Sequence, residues 1–313
     1  MKVPILFIIF NRPEIAFESF KKIREYKPDD LYIAADGPRS SREEDFPLCE
    51  QTRRLILESI DWDCNVHKLF RDSNIGVDKG VYEAINWMFR TEKWGVIIED
   101  DCIISIDFFT LCEDAFLRYE NDNNIVHIGA NNTFSKCTSS NICDFTYFPK
   151  SWGWGTWSQK WRMIMDVEMK NYPKYNIWRL IPNLGLFQTL MMWRYWKITY
   201  KNRASLKTWD SIWQFNVMTK ELLCILPRVN LVINNGIGTS DGSHYSKGDK
   251  NFYNGIKIGH LNFPILWPSN IKVNKVVQFQ QNFSFFKLRI WGLSQKIKKK
   301  CHVWICKENK KGY

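Results

Sequence analysis

Apolar and polar positions follow two alternating rhythms through the first 130 residues. Val3 to Phe10 is an apolar run, the pattern of a parallel strand covered on both faces. Asn11-Arg12-Pro13 ends it, and Pro13 suits a first helical turn. Ala16, Phe20 and Ile23 then recur at helical spacing until Pro28. Leu31 to Ala35 predicts a second strand, closed by Asp36-Gly37-Pro38. Glu43, Glu44 and Asp45 open a second helix, where acids suit the positive end of the dipole. Its expected apolar positions are Leu48, Leu55, Ile56 and Ile60. Asn65 to Phe70 predicts a third strand, and Val77, Val81, Ala84, Ile85 and Met88 a third helix. Val96-Ile97-Ile98 predicts a fourth strand that runs into Glu99-Asp100-Asp101. A helix striped by Phe109, Cys112, Phe116 and Tyr119 follows, then a strand from Ile125 to Gly129.

Alternation of this kind predicts an α/β, doubly wound sheet with right-handed crossovers. Ligands of such sheets bind beyond the carboxyl ends of the strands. Four polar clusters stand there: Asn11-Arg12-Pro13, Asp36-Gly37-Pro38-Arg39, Arg71-Asp72-Ser73-Asn74 and the acidic triplet. Beyond about residue 130 the rhythm fades into aromatic-rich loops and helices. Three stretches are therefore expected: 1–130, 131–248 as the remaining part of the same domain, and 249–313 as a C-terminal extension.

Composition changes this picture in three places. The chain has 15 Trp, and nine of them fall between Trp152 and Trp213. Its nine Cys are scattered, with no C-x-x-C pair, which argues against a disulfide framework or a structural zinc site and for reduced thiols in a cytosol. The net charge is +11, and from Lys287 to Lys311 nine Lys and Arg face one acid. The excess thus reads as a tail rather than a nucleic-acid-binding body. Within that tail, Phe286, Ile290, Leu293, Ile297, Cys301 and Trp304 share one helical face, with lysines off it. A basic amphipathic segment of this type suits an anionic membrane surface, although a helix packed on the body would show the same stripe. The expected location is the cytoplasm, with peripheral attachment to the inner face of the membrane. The oligomeric state is not legible.

Three consecutive carboxylates after a buried strand repel one another, and a divalent cation is the usual agent that offsets this. Hard oxygens favour Mg2+ or Mn2+, which commonly take one or two carboxylates together with substrate phosphates. A solvated acidic turn is the plain alternative. A nicotinamide enzyme is disfavoured, because G-x-G-x-x-G is missing and no Gly precedes Gly37. A nucleotidyltransferase lacks its Gly-rich phosphate loop for the same reason. A non-catalytic nucleotide-sugar or glycan binder of the same fold remains a further alternative.

The matching pieces of a known family stand in order along the chain. They are Pro4-Ile5-Leu6-Phe7-Ile8-Ile9-Phe10-Asn11-Arg12-Pro13, Ile33-Ala34-Ala35-Asp36-Gly37-Pro38, Arg71-Asp72-Ser73-Asn74-Ile75-Gly76 and Ile97-Ile98-Glu99-Asp100-Asp101-Cys102. Trp152-Gly153-Trp154-Gly155-Thr156-Trp157, Thr208-Trp209-Asp210 and Gly238-Thr239-Ser240-Asp241-Gly242-Ser243-His244 follow. Over about residues 1–248 the sequence resembles the GT-A glycosyltransferases, in a bacterial branch similar to N-acetylglucosaminyltransferase I. The resemblance implies a mixed sheet and a Mn2+- or Mg2+-dependent transfer of a sugar from a nucleotide-sugar donor to a glycan or lipid-linked glycan acceptor. It implies an inverting reaction in bacterial surface-polysaccharide synthesis.

By that resemblance Asp101 holds the metal, with His244 near it or the diphosphate. Asp100 lies near the ribose beside Glu99, Asp36 accepts a hydrogen bond from the base, and Asn11 and Arg12 line the nucleotide pocket. Asp210 is the general base. The segment Asp241-Gly242-Ser243-His244 departs from the expected pair of Ala and Thr between Asp and His. The residue chemistry leaves alternatives open. Asp210 also suits a helix N-cap, and Asp36-Gly37-Pro38 is good turn chemistry by itself. Arg12 could be a surface residue. Arg71 and Lys79 could meet phosphate or merely solvent. Trp154, between Gly153 and Gly155, leans toward a sugar pocket, whereas Trp161, Trp178, Trp193 and Trp196 read as core. His67 and His127 read as structural.

Overall fold

The apolar run at the N-terminus becomes β1 (Ile5–Ile9), and Pro13 opens α1 (Pro13–Tyr26). A computed structural model describes residues 2–133, 135–205, 208–236, 255–283 and 287. The chain continues through β2 (Asp30–Ala35), α2 (Asp45–Glu58), β3 (Asn65–Phe70), α3 (Val77–Met88) and β4 (Trp94–Glu99). A short β5 (Cys102–Ile104) precedes α4 (Ile106–Arg118) and β6 (Ile125–Gly129). The aromatic region holds β7 (Ser139–Thr146), β8 (Trp154–Trp157), α5 (Ser158–Ile164), α6 (Ile181–Leu184), α7 (Leu186–Lys201) and α8 (Trp209–Thr219). The last strands are β9 (Leu223–Pro227), β10 (Val232–Asn234) and β11 (His260–Leu266), and a helical stretch covers 275–283.

Nine strands form one mixed sheet in the order β11-β7-β9-β6-β8-β4-β1-β2-β3. β9, β6, β4, β1, β2 and β3 are parallel, and β8 is inserted antiparallel between β6 and β4. β7 runs antiparallel to β9, and β11 runs parallel to β7 at the edge. With helices on both faces, this is an arrangement typical of GT-A-like folds. The expectation that strands give way to loops after residue 130 needs correction, because β7, β8, β9 and β11 extend the sheet. β8 and β9 are short and fully buried, while β7 and β11 are longer but mix polar and apolar residues irregularly, so neither strict alternation nor a long apolar run announces them.

Successive residues of β1 face opposite cores, as a strand period of two requires. Ile5, Phe7 and Ile9 pack with Phe20 and Ile23 of α1 and with Phe109 and Cys112 of α4. Leu6 packs on the other side with Val81, Ile85 and Met88 of α3, Trp161 of α5 and Trp213 of α8. A third cluster lies outside α8, where Trp196 and Met192 of α7 meet Ile212 and Phe215. Trp161 and Trp196 are core, as their setting predicts, whereas Trp178 is exposed. It stands on a short 3-10 turn, where no neighbouring layer covers it. The second helix buries Ile56 as expected, but Asp45, Cys49 and Thr52 turn inward with it, while Leu48 and Leu55 are only half-buried.

The seven cysteines among the described residues are free thiols. Among the described residues, no helix is long and apolar enough to cross a membrane. The basic amphipathic stripe from Phe286 and the segment around His244 lie outside the described residues, Lys287 excepted.

Candidate active site

The carboxyl ends of β1, β2 and β4 bring three of the sequence clusters together. Arg12 leaves β1 and pairs with Asp100, the residue after β4; its guanidinium also lies 3.4 Å from Asp101 Oδ2. Asp100 is buried and accepts a hydrogen bond from the Phe10 amide at 3.2 Å. Burial pushes the Asp100 carboxyl up, Arg12 pulls it back, and the net position is about 6. Burial opposes the charge on Arg12, but Asp100 and Asp101 outweigh it and hold the guanidinium firmly protonated. Part of the repulsion within the triplet is therefore offset by Arg12, a role its position at the start of α1 does not reveal.

Asp101 is positioned from the far side by a two-stranded ribbon. β10 pairs antiparallel with β5, placing Asn234 opposite Cys102. Asn234 Nδ2 donates to Asp101 Oδ1 at 3.0 Å, and the Asn235 amide donates to the Asp101 carbonyl at 2.7 Å. Gly236 lies directly over the pair. A Cβ there would come within 2.6 Å of Asp101 Oδ2 and 2.9 Å of Arg12 Nη1, so a larger residue would have to displace that pair. Glu99, at the end of β4, is pushed well above the ordinary carboxyl range. Burial is the main cause, followed by Asp101, Asp100 and Asp210, with Arg12 opposing.

Asp210 reaches the same region from the second half of the chain. α8 begins at Trp209, and Thr208 occupies its N-cap position, so Asp210 lies in the first turn and is not the cap. The Trp209 amide donates to Asp78 Oδ1 at 3.0 Å, which ties α8 to the first turn of α3. The Trp209 ring stacks on Trp154 at 5.6 Å, and Trp154 pairs across the sheet with Ile97, two residues before Glu99. Asp210 itself is exposed, and its Oδ1 accepts the Ser211 amide at 2.8 Å. A cavity of about 30 Å³ beside it is lined by His127, Lys150, Trp154, Trp209, Trp213 and Gln214, among others.

His127 is a fixed part of that wall. Trp213 Nε1 can only donate, so at 3.3 Å it requires His127 Nδ1 to accept. Nε2, on the far side of the ring, lies 3.1 Å from both the Lys150 carbonyl and the Lys150 amide nitrogen. Burial pushes this imidazole down to about 3, so it stays neutral. Burial also pushes the Lys150 amine down, to about 8. Trp154 is buried and stacks on His127 at 5.1 Å, so its ring is chiefly core and only borders the cavity.

Other expected site residues have partners within the protein. The Asp36 carboxylate accepts the amides of Gly37, Ile75 and Gly76 at 3.0 to 3.2 Å, latching the loop after β2 to the loop after β3. Gly37 is pressed against the Ser73 backbone, where a Cβ would come within 2.4 Å. Asn11 Nδ2 donates to buried Asp45 at 2.7 Å, and Arg39 grips the same carboxylate. Hydrogen bonds from Arg39 hold the Asp45 carboxyl down at about 2. Arg71 meets Glu83 at 3.2 Å, and exposed Lys79 lies 3.8 Å from the same side chain. Sequence reasoning did not single out Asp45, Asp78, Lys150, Asn234 or Gly236. Only Gly236, directly after two asparagines, offered a signal, as a turn or close-approach position.

Among the described residues, no three His, Cys, Asp or Glu side chains converge as a ready-made metal cage. The donor chemistry nevertheless fits a hard divalent cation: Asp101 offers a partly exposed carboxylate, and the surrounding negative groups are only partly balanced by Arg12.

No family model matches the chain, and no curated protein matches it either. Among solved structures, a mannosyltransferase from Pyrobaculum calidifontis in complex with GDP-Man and Mn2+ is similar at a TM-score of 0.36 and 12% identity, over 52% of this chain and 46% of that one. HddC from Yersinia pseudotuberculosis is similar at a TM-score of 0.30 and 6% identity, over 50% of this chain and 77% of that one. A 4-diphosphocytidyl-2C-methyl-D-erythritol synthase from Anaerococcus prevotii is similar at a TM-score of 0.33 and 13% identity, over 56% and 76%. The chain spans less than half the length of the mannosyltransferase.

Proposed function

We propose that the chain is a divalent-cation-dependent glycosyltransferase that moves a sugar from a nucleotide diphosphate to a hydroxyl of a glycan acceptor. The observation that carries this reading is the placement of Asp210. A carboxylate from α8 is held beside the carboxyl end of β4 by the Trp209–Trp154 stack, yet remains exposed. Two separate acidic functions thus share one edge of the sheet, as sugar transfer requires.

Asp101 would hold Mn2+ or Mg2+, which when bound supplies electrophilic stabilisation of the leaving diphosphate. Arg12 keeps Asp100 paired and so limits the number of free acids next to the phosphates. The Asp36 latch shapes the adjoining loops at the end of β2, where the base and ribose would lie. Asp210 takes the proton of the acceptor hydroxyl as its oxygen forms a bond to the anomeric carbon. The bond from that carbon to the diphosphate breaks, its electron pair stays on the departing oxygen, and the proton passes from Asp210 to water. Attack from the face opposite the leaving group inverts the anomeric centre.

The two acids separate in one experiment on a panel of nucleotide sugars with and without Mn2+. Asp101→Asn is expected to lose the Mn2+-dependent part of nucleotide affinity. Asp210→Asn is expected to keep that affinity and lose turnover by about 10²-fold or more. Unchanged metal dependence in the first variant, or near-normal transfer in the second, overturns the assignment.

A further inference from the structure

The basic charge of this chain is partitioned more sharply than its net value suggests. Residues 169–209 contain eight Lys and Arg and no Asp or Glu, and residues 250–307 contain eleven and none. The other 214 residues hold 25 Lys and Arg against 33 Asp and Glu. The sheet and its acidic site are therefore net negative, and the whole positive excess lies in two acid-free windows far apart in sequence.

The structure brings one described part of each window together. Residues 181–188 and 271–283 line a common groove of about 1200 Å³, and Asn282 Nδ2 donates across it to the Asn183 carbonyl at 2.8 Å. The groove opens where β6 and β9 begin, at the end of the sheet opposite the acidic site. Its walls include Leu186, Phe187, Ile271, Phe279 and Phe283, all exposed. Phe279 and Phe283 stack on each other at 6.4 Å, and Lys287 lies over the Phe283 ring at 4.6 Å. Of the 15 large hydrophobic side chains exposed among the described residues, 11 belong to the two acid-free windows. Exposed Arg194, Lys197 and Lys201 continue along α7 beyond Leu186, Phe187 and Leu190. Asp122 and Glu221 also line the groove, on the side formed by the sheet.

Apolar and basic residues exposed on one face, with acids excluded from both segments that build it, match the chemistry of an anionic bilayer. Aromatic and aliphatic groups enter the interface while lysines and arginines meet the headgroups. A nucleic acid could stack on Phe279 and Phe283, but the exposed aliphatic Leu186, Leu190 and Ile271 suit acyl chains rather than bases. We infer that the face built by α6, α7 and the 275–283 helix docks on an anionic lipid surface. This inference rests on charge partition and exposure, and stands independently of the glycosyl-transfer reading.

Full-length protein is to be sedimented with vesicles of phosphatidylcholine alone and with phosphatidylglycerol added. The expected result is pelleting with the anionic vesicles only, with release at high salt. Phe187→Glu combined with Phe279→Glu should weaken vesicle binding about tenfold or more while thermal stability stays unchanged, because both side chains are exposed. A second variant, with Lys296, Lys298, Lys299 and Lys300 all changed to Gln, tests the distal basic stretch. If that variant alone abolishes binding and the double Glu variant binds normally, the proposal fails. It also fails if the wild type ignores anionic vesicles, or if the double Glu variant instead turns a dimer into a monomer without changing vesicle binding.

Discussion

The two halves of the candidate site are held by different kinds of force. At the ends of β1, β2 and β4, polar side chains reach across loops to fixed partners: Arg12 to Asp100, Asp36 to three backbone amides, Asn234 to Asp101. Around Asp210 the scaffold is aromatic, with Trp154, Trp161, Trp209, Trp213 and His127 packed ring against ring. The first arrangement fixes carboxylates by naming an acceptor for each donor. The second leaves the carboxylate exposed and fixes the aromatic base it stands on. A group that must accept a proton during turnover suits the second arrangement, and groups that must hold charge in place suit the first.

Trp154 gives the largest expected way to break this contrast. Its ring is buried and contacts His127, Trp161, Trp209 and Trp213 at 5.1 to 6.0 Å. Trp154→Ala should cost about 3–5 kcal/mol in urea unfolding, the usual loss for a large buried ring. Trp154→Phe should retain most of the stability and most of the nucleotide affinity, but lower turnover through Asp210. Loss of nucleotide affinity with normal turnover would show that the aromatic scaffold serves the first half of the site instead.

Arg12 tests the polar side of the contrast. Asp100 is buried, so removing its partner leaves an uncompensated carboxylate. Arg12→Gln should destabilise the fold by about 2–3 kcal/mol, somewhat under the loss for a wholly buried pair, because Arg12 is partly exposed. Adding Asp100→Asn to that variant should restore part of the loss in a double-mutant cycle. Purely additive effects would mean that the pair is incidental.

The sequence reveals the first half of the site more fully than the second, and for a physical reason. β1, β2 and β4 are uninterrupted apolar runs ending in polar clusters, so both the strands and the residues at their carboxyl ends can be read directly. The partners of those residues cannot. Asp45 suggests only a favourable first turn of α2, yet it is buried against Asn11 and Arg39. The ribbon that delivers Asn234 to Asp101 spans more than 130 positions, and nothing local announces it. Trp154 stands between two glycines, which suggests an open pocket. Those glycines instead allow β8 to thread between β4 and β6: a Cβ on Gly155 would come within 2.9 Å of Phe116.

Asp36 sharpens the distinction between latch and ligand. If its carboxylate serves the Gly37, Ile75 and Gly76 amides, Asp36→Asn should lower stability by about 1–2 kcal/mol without any nucleotide present. Thermal melts of the apo protein measure this directly. Unchanged melting with weakened nucleotide binding would return Asp36 to the role of a base contact.

Lys160 sits on the seam between the two halves and gives the smallest effect. It belongs to α5 in the aromatic region, yet its Nζ donates to the carbonyls of Tyr119 and Ile125 at 2.6 and 2.7 Å, where α4 gives way to β6. The side chain is 1% exposed, and burial pushes its amine down to about 7. In the unfolded chain the amine titrates near 10.4, so between these values the unfolded state binds the extra proton and stability rises with pH. Below about pH 7 both states carry the proton, and this contribution to the slope vanishes. From pH 7 to pH 8 the wild type should therefore gain about 1 kcal/mol more than Lys160→Met, which lacks the titrating group. Chemical denaturation of both proteins at the two pH values measures the difference. Equal gains would mean that the amine stays charged between the two carbonyls, held by them and by the Trp157 ring 3.5 Å away. The seam between the halves would then be ionic, closer in kind to the carboxylate end of the site than to the aromatic one.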